Sequence, residues 1–287
     1  MYYGGIEAGG TKFVCAVADT ELKLIDQISI PTTTPEETLQ QVTNFFDNYE
    51  LISLGVGSFG PIGIDPEKED YGHILMTPKK GWTDTDLLGM LKRKYTVPIG
   101  WTTDVNAAAL GELKLGAAKG RKSCVYLTIG TGIGGGVVVD GEPFSGFSHP
   151  EMGHIYVKRH SEDTYRGGCP YHQDCLEGLA AGPSLKGRTA SEGRDIPASH
   201  EVWDFQAYYI AQALMTYALT LSPEIIVLGG GVMNQKHLLQ KIRASFLEQL
   251  NGYMTFPPID EYIVAWGLPN QSGIYGSLLL AKQEADK

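Results

Sequence analysis

Two short stretches of glycine and threonine, one in each half of the chain, have the composition of anion-binding turns. They are Gly9-Gly10-Thr11-Lys12 and Gly130-Thr131-Gly132-Ile133-Gly134-Gly135-Gly136. Each follows an apolar stretch and leads into a β-branched one, which predicts a tight turn between two strands. Glycine lets backbone N–H groups approach an anion closely, and threonine adds a hydroxyl donor. The pair predicts a duplicated fold that binds a polyphosphate from both sides.

Asp104 follows a short strand-like segment, 98–102, and opens an alanine-rich stretch. A carboxylate there lies at the carboxyl end of a sheet, where ligands bind in open α/β folds. It can accept the proton of an attacking hydroxyl during phosphoryl transfer, so Asp104 is the predicted catalytic base. The alternative is that Asp104 only caps a helix, because aspartate is a favoured N-cap residue.

Two charged residues flank the first turn. Glu7 precedes it, and Mg²⁺ prefers few carboxylates together with water and substrate phosphate, so Glu7 is a candidate magnesium contact. Lys12 can bind phosphate as a point charge. In the simpler alternative, Glu7 is an exposed strand residue and Lys12 is only solvated.

The segment Cys169-Pro170-Tyr171-His172-Gln173-Asp174-Cys175 carries three metal-ligating side chains at regular spacing. His154 can supply a fourth, and two thiolates with two imidazoles make a tetrahedral zinc site. Four protein ligands leave no open position for water, so the zinc is predicted to be structural. It would order a loop-rich insert at about 144–182. The alternatives are His149 or His160 as the fourth ligand, or no metal.

Two acidic residues flank this cluster, Glu151 on one side and Glu177 on the other. Held rigidly by metal ligation nearby, their carboxylates can accept hydrogen bonds from sugar hydroxyls. Taken singly, either one is better explained as an ordinary surface glutamate, but the two occur together beside the cluster.

The elements that position these residues follow from periodicity and turn residues. Strands are predicted over 4–30 (two or three strands), 51–58 (ending at the turn Gly60-Pro61), 98–102, 123–129, 136–139 and 224–228. Helices are predicted over 34–49, 85–95 (with Asp84 as N-cap), 107–116, 202–221 and 272–283. Because the order strand, glycine turn, strand recurs after the basic segment 117–122, we expect two α/β domains. These are residues 1–118, completed by the C-terminal helix 272–287, and residues 119–271.

The bulk composition is that of an ordinary globular protein, with 43% hydrophobic and 20% charged residues among 287. A net charge of −10 argues against a nucleic-acid partner, which would need clustered Lys and Arg. The chain shows no secretory signal and no apolar run long enough to cross a membrane, so we expect a cytoplasmic protein. In that reducing compartment Cys15 and Cys124, which lie in apolar segments, are expected to be buried free thiols.

Together these motifs resemble the ROK family of sugar kinases and sugar-responsive repressors. The matching stretches are Gly5-Ile6-Glu7-Ala8-Gly9-Gly10-Thr11-Lys12-Phe13, Thr103-Asp104-Val105-Asn106-Ala107-Ala108-Ala109-Leu110-Gly111-Glu112, 130–136, Glu151-Met152-Gly153-His154, the Cys-His-Cys segment and Gly229-Gly230-Gly231-Val232. With its Thr77-Pro78-Lys79-Lys80-Gly81-Trp82 loop, the chain looks most like the bacterial fructokinase branch. The resemblance implies an actin-like, ribonuclease H-like α/β fold of two domains, with ATP and sugar in the cleft between them.

By this resemblance, Asp104 takes the proton of the sugar's 6-hydroxyl group. The implied sugar contacts are Gly60, Pro61, Thr103, Asp104, Glu151, His154 and Glu177. The implied nucleotide contacts are Gly9, Gly10, Thr11, Lys12, Thr131, Gly132, Gly182, Pro183, Gly230 and Gly231. The implied cofactors are ATP, Mg²⁺ and structural zinc, held by His154, Cys169, His172 and Cys175, and a homodimer is usual in the family.

Four positions depart from the family pattern. Glu7 stands where many members have aspartate, His172 replaces a cysteine of the glucokinases, and Lys80 replaces a proline of the fructokinase loop. Thr103 stands where family glucokinases usually have asparagine. Loss of a hydrogen-bonding partner discriminates against the corresponding substrate, so Thr103 argues against glucose.

The resulting hypothesis is an ATP-dependent hexose kinase that makes a 6-phosphate, with D-fructose as the first candidate, mannose next and glucose also open. A ROK repressor carries a helix-turn-helix domain ahead of the first phosphate motif, which this chain reaches at Gly9. An actin-like assembly ATPase would explain the glycine turns but not the two glutamates and the metal cluster.

Overall fold

The computed structural model describes all 287 residues. The strands are Tyr2–Ala8 (β1), Lys12–Ala18 (β2), Leu24–Pro31 (β3), Leu51–Ser58 (β4), His73–Ile74 (β5), Thr85–Asp86 (β6), Ile99–Thr103 (β7), Cys124–Ile129 (β8), Ile133–Val139 (β9), Glu142–Pro143 (β10), Ile226–Gly229 (β11) and Ile263–Ala265 (β12). The helices are Pro35–Phe46 (α1), Leu87–Lys94 (α2), Asp104–Lys114 (α3), Leu176–Ala180 (α4), Gly182–Thr189 (α5), Val202–Leu221 (α6), Lys236–Leu250 (α7), Ile259–Tyr262 (α8) and Ser272–Ala285 (α9). None of these helices is both long enough and apolar enough to cross a membrane.

Two five-stranded sheets share one topology. The first has the order β3-β2-β1-β4-β7 and the second the order β10-β9-β8-β11-β12. In each, three antiparallel strands, β3-β2-β1 in the first sheet and β10-β9-β8 in the second, are continued by two parallel strands. The duplication predicted from the two glycine turns is therefore present in the strand order.

Both glycine stretches form the turns of equivalent hairpins, as predicted, but β9 begins at Ile133, so Gly134, Gly135 and Gly136 lie in a strand that was predicted to begin only at 136. In the first, the Gly9 N–H donates to the Lys12 carbonyl at 3.0 Å, between β1 and β2. In the second, the Gly130 N–H donates to the Gly132 carbonyl at 2.9 Å, between β8 and β9. Short turns of this kind leave other backbone N–H groups without strand partners, which is what an anion site requires.

The helix α3 begins where β7 ends. The Thr103 side-chain oxygen accepts the Asn106 N–H at 3.1 Å, so Thr103 is the N-cap and Asp104 is the first helical residue. The alternative in which Asp104 is merely the cap is therefore wrong. Its carboxylate remains available to the cleft.

Helices α3 and α9 cross at the middle of the molecule with their backbones in close approach. A Cβ at Gly276 would overlap the Ala107 carbonyl, and a Cβ at Gly111 would overlap the Ser272 carbonyl. Close packing also explains the buried alanines of α3, because only small side chains fit on a helix that is covered on most of its sides. This crossing joins the first sheet to the second.

Several predicted bounds differ from the structure. The N-cap of α2 is Asp86, whose side chain accepts the Gly89 N–H at 2.7 Å, and not Asp84. Pairing of β6 with β5 keeps Thr85 and Asp86 extended, so the helix starts two residues later than predicted. Helix α1 ends at Phe46 rather than at 49. Helix α7 was not predicted at all.

The predicted insert has little regular structure between β10 and α4. One helical turn, Met152–His154, is its only regular element before α4 and α5 begin. Cys15 and Cys124 are fully buried free thiols, as expected, and burial raises the pKa of both.

Candidate active site

A cavity of about 230 Å³ lies at the base of the cleft between the two sheets. Among the residues that line it are Glu7, Lys12, Asp104, Gly230 and Gly231. Five predicted site residues from three separate stretches of sequence therefore share one cavity. Two larger hollows, of about 800 and 670 Å³, lie beside α6 on the surface and contain none of the predicted site residues.

The Asp104 carboxylate has the acid–base properties that a proton acceptor needs. Its Oδ1 accepts the Val105 N–H at 2.8 Å, which holds the side chain against the first turn of α3. Burial, and next the negative charge of Glu7, raise the pKa of Asp104 to about 7. A base with that pKa is about half ionised at neutral pH and takes up a proton readily.

Glu7 is half-buried in the cleft, so the alternative of an exposed strand residue is wrong. A Cβ at Gly273 would overlap the Glu7 carboxyl group, which places that group against the first turn of α9. Burial raises the pKa of Glu7, and the Lys12 ammonium opposes that shift. A carboxylate with few partners, close to the first hairpin turn, suits a divalent cation that also binds phosphate.

The second hairpin contacts the segment that follows the Cys-His-Cys cluster. The Ile133 N–H donates to Glu177 Oε2 at 2.9 Å, and the Gly182 N–H donates to the Gly130 carbonyl at 2.7 Å. The predicted residues Glu177, Gly182 and Pro183 therefore lie beside the second glycine turn. The other Glu177 oxygen lies 3.9 Å from His154 Nε2.

Four side chains of the insert converge as predicted for a metal site. The ligand atoms of His154, Cys169, His172 and Cys175 all lie within 4.8 Å of one another. His154 Nδ1 is 3.8 Å from Cys169 Sγ and 3.7 Å from Cys175 Sγ. With Zn–S of about 2.3 Å and Zn–N of about 2.0 Å, tetrahedral geometry requires S–N separations of about 3.5 Å, so the donor set fits zinc.

The two alternative ligands lie elsewhere. His149 Nε2 accepts the Ile62 N–H at 3.0 Å. The His160 ring makes edge-to-face contacts with Phe205 and Tyr208 of α6. His154 is therefore the histidine that completes the cluster.

The predicted sugar contacts lie around the cluster and the loop after β4. Glu151 is half-exposed, with Oε1 3.5 Å from His149 Nδ1. The loop Gly60-Pro61 contains a cis peptide bond and packs on His149. The Thr103 hydroxyl is buried as the N-cap of α3.

Sequence reasoning missed the side chains that brace the site. Thr32 Oγ1 donates to the Gly9 carbonyl at 2.7 Å, and Lys79 Nζ donates to the Thr32 carbonyl at 2.8 Å. The Trp82 indole N–H donates to the Thr33 carbonyl at 2.7 Å. Lys79 and Trp82, from the fructokinase-like loop, therefore hold the segment that supports the first hairpin. The spacing of that loop was visible in the sequence, but its partner segment was not.

Three further residues near the site were also missed. Trp266 and Asn270 line the cavity near Gly230 and Gly231. They follow β12, whose three residues are fewer than the roughly four to eight on which a strand prediction rests. Asn106, buried at the start of α3, donates to the Thr102 hydroxyl at 3.3 Å and accepts the Val137 N–H at 3.4 Å, so it links the two sheets.

The profile of the ROK family matches residues 3–284. The chain belongs to the ROK family. Relatives of this ROK protein include a fructokinase from Pediococcus pentosaceus, 50% identical over 98% of both chains. A putative fructokinase from Bacillus subtilis is 49% identical, over 98% of this chain and 95% of its own.

Solved structures show the same fold. The ROK hexokinase from Thermus thermophilus superposes on this ROK protein with a TM-score of 0.81, at 27% identity, covering 100% of this chain and 99% of its own. A ROK glucokinase from Streptomyces griseus, in complex with glucose and AMPPNP, gives a TM-score of 0.79 at 24% identity, covering 99% and 100%. The predicted actin-like, duplicated α/β fold is confirmed.

Proposed function

We propose that this ROK protein transfers the γ-phosphoryl group of ATP to the 6-hydroxyl of a hexose, with D-fructose as the preferred substrate. The observation that carries the proposal is the Asp104 carboxylate, which shares one cavity with Glu7 and Lys12 of the first hairpin and has a pKa of about 7. Relatives named fructokinase, at 47% to 50% identity, support fructose as the acceptor.

In the proposed reaction, Asp104 accepts the proton of the 6-hydroxyl. The freed oxygen forms a bond to the γ-phosphorus while the bond to the bridging oxygen of ADP breaks, so the proton stays on Asp104 and ADP leaves. Lys12 and the N–H groups of the first turn bind the transferred phosphoryl group. The second turn, around Thr131 and Gly132, holds the rest of the phosphate chain.

The remaining predicted nucleotide contacts fit the adenosine end of ATP. Gly230 adopts a φ of 89°, a conformation suited to glycine. Because glycine has no side chain, the backbone of Gly230 itself lines the cavity. Gly182 and Pro183 open α5 beside the second turn. Mg²⁺, held by Glu7 and the phosphates, would neutralise charge that develops during transfer.

For the sugar, we propose Glu151, His154 and Glu177 as hydrogen-bond partners. On the opposite side of the cleft, that of the first sheet, the proposed contacts are Gly60, Pro61 and Thr103. The Cys-His cluster is proposed to bind one structural zinc, because its four donor atoms lie within 4.8 Å of one another and four protein ligands leave no open position for a water nucleophile. That zinc would fix His154 and, through the adjoining turn, Glu177.

We also propose that the cleft separates a small domain, 1–118 with 272–287, from a large domain, 119–271. A Ser53 hydroxyl that donates to the Ala281 carbonyl at 2.6 Å supports assigning α9 to the first sheet. An ATP-dependent kinase needs the ATP pool of the cytoplasm, where we place it, and we expect a homodimer by light scattering.

A panel of hexoses with ATP and Mg²⁺ tests the function. We expect the highest kcat/KM with fructose, then mannose, and a 6-phosphate product by NMR. Asp104→Asn should retain less than about a tenth of the turnover, because a general base contributes about 10²-fold or more. Turnover of no hexose, or an active Asp104→Asn enzyme, would overturn the proposal.

A further inference from the structure

His149 is a buried imidazole that neither the metal cluster nor the proposed phosphoryl transfer uses. Its side chain is 4% exposed. It belongs to the insert of the large domain, yet its Nε2 accepts the Ile62 N–H of the small domain at 3.0 Å. Its Nδ1 lies 3.5 Å from Glu151 Oε1. The ring therefore has a polar partner on each side of the cleft.

These two partners determine where the ring carries its proton. A nitrogen that accepts an N–H cannot itself be protonated, so Nε2 is bare and the proton is on Nδ1. That N–H then has two acceptors beside it in the insert, the Glu151 carboxylate and the Pro150 carbonyl. Burial lowers the pKa of His149, which keeps the ring neutral, while Glu151 opposes this shift.

The loop before Ile62 is shaped to the same ring. A Cβ at Gly60 would lie 3.3 Å from His149 Cε1 and 3.5 Å from Nε2. The first distance is tighter than an ordinary van der Waals contact, so a side chain at this position would push the imidazole by a few tenths of an ångström. Gly60 therefore lets the loop approach the ring closely enough for the Ile62 N–H to reach Nε2.

We propose that His149 is a positioning residue that closes the sugar side of the cleft, holding the Gly60–Ile62 loop of one domain and Glu151 of the other on its two ring nitrogens. This proposal rests on the proposed function, in which both segments contact the sugar. The loop is also paired with Ile74 and Leu75 of its own domain, so the ring adds the contact that joins it to the insert. Loss of the ring nitrogens weakens sugar binding and leaves the nucleotide site unchanged.

The test compares His149→Phe, which keeps the ring volume without its nitrogens, with His149→Gln, which retains an acceptor for the Ile62 N–H. We expect the Phe variant to raise the KM for fructose about tenfold or more, since a buried N–H is left unpaired. The KM for ATP and kcat at saturating sugar should stay within about threefold, and Gln should recover part of the loss.

Lys68→Ala is the matched control, because Lys68 Nζ also crosses the cleft, to the Phe147 carbonyl at 3.1 Å, but is exposed. Its kinetics should match the wild type. An unchanged fructose KM in His149→Phe, or a fall in kcat that Gln does not relieve, would overturn the proposal.

A second measurement does not depend on the function. Long-range ¹H–¹⁵N NMR of the sugar-free wild type should find the His149 proton on Nδ1, even if the Phe variant does not fold. A proton on Nε2 contradicts the inference. Wild-type protein that turns over no hexose, but shows the Nδ1 proton, would refute the proposed function while retaining the domain contact.

Discussion

The Glu177 carboxylate joins the second glycine hairpin to the metal cluster, accepting the Ile133 N–H at 2.9 Å and lying 3.9 Å from His154 Nε2. The second turn is almost pure backbone and carries no charge of its own. The position of the turn therefore depends on Glu177, which the family resemblance predicts to contact the sugar. Under the proposed function, the nucleotide and sugar halves of the cleft share this side chain.

Replacing Glu177 should consequently affect both substrates. Glu177→Ala leaves the Ile133 N–H without its partner, a loss of about 1–3 kcal/mol, so the KM values for ATP and fructose should both rise. Glu177→Gln keeps an acceptor oxygen and should preserve the ATP KM better than the fructose KM. Steady-state kinetics with each substrate varied would check this. An effect of the Ala variant on fructose alone would contradict the shared role.

The pH dependence of kcat/KM should report Asp104. Because the carboxylate must be ionised to accept a proton, activity should fall about tenfold per pH unit below a pH near 7 and level off above it. Glu7→Gln removes a charge that raises the pKa of Asp104, so its inflection should move to lower pH. The position of the inflection is the readout, since the substitution also lowers the overall rate. An inflection that does not move would show that Glu7 does not act on Asp104.

The raised pKa also means that the ionised Asp104 carboxylate destabilises the folded state. Between the unfolded pKa of 3.8 and the folded value of about 7, the folded state binds more protons than the unfolded state. The free energy of unfolding therefore falls as pH rises through this window. Asp104 retains some contact with solvent, which screens the effect, so Asp104→Asn should gain only about 1–3 kcal/mol at pH 8.

Denaturant midpoints at several pH values would measure the gain, which should disappear near pH 4. Asp286→Asn, at an exposed position beyond the last turn of α9, serves as the control. Equal stability of Asp104→Asn and wild type at pH 8 would mean that the carboxylate is not destabilised by burial.

Zinc should be found at about one ion per chain by elemental analysis. Cys175→Ser should lose the metal and lower the melting temperature, whereas Gln173→Ala, an exposed neighbour in the same segment, should lose neither. Because Glu177 lies two residues after Cys175, the serine variant should also raise the KM for ATP. Wild-type protein without zinc would exclude the structural-metal hypothesis.

Local signals were sufficient for the features that local chemistry determines. Glycine turns between β-branched stretches predicted both hairpins, and ligand spacing predicted the Cys-His cluster. Helix α7 was missed although Leu238, Ile242, Phe246 and Leu250 are buried at a helical spacing. That signal was available in the sequence.

Other features depend on partners distant in the chain. Asp84 and Asp86 are equivalent as N-cap candidates, and only the pairing of β6 with β5 selects Asp86. The roles of Trp82 and His149 are set by backbone groups at Thr33 and Ile62, which no spacing rule connects to them.

The crossing of α3 with α9 has a consequence for synthesis. The strands β1 and β4 leave the ribosome early, but α9 packs directly on them. A Cβ at Gly55 would overlap the Ser277 carbonyl, and Ser277 Oγ donates to the Ile6 carbonyl at 3.0 Å. A nascent chain that already contains both glycine hairpins therefore still exposes one apolar face of its first sheet. That face is covered only when the final helix emerges, so a ribosome stalled before it should hold an aggregation-prone intermediate.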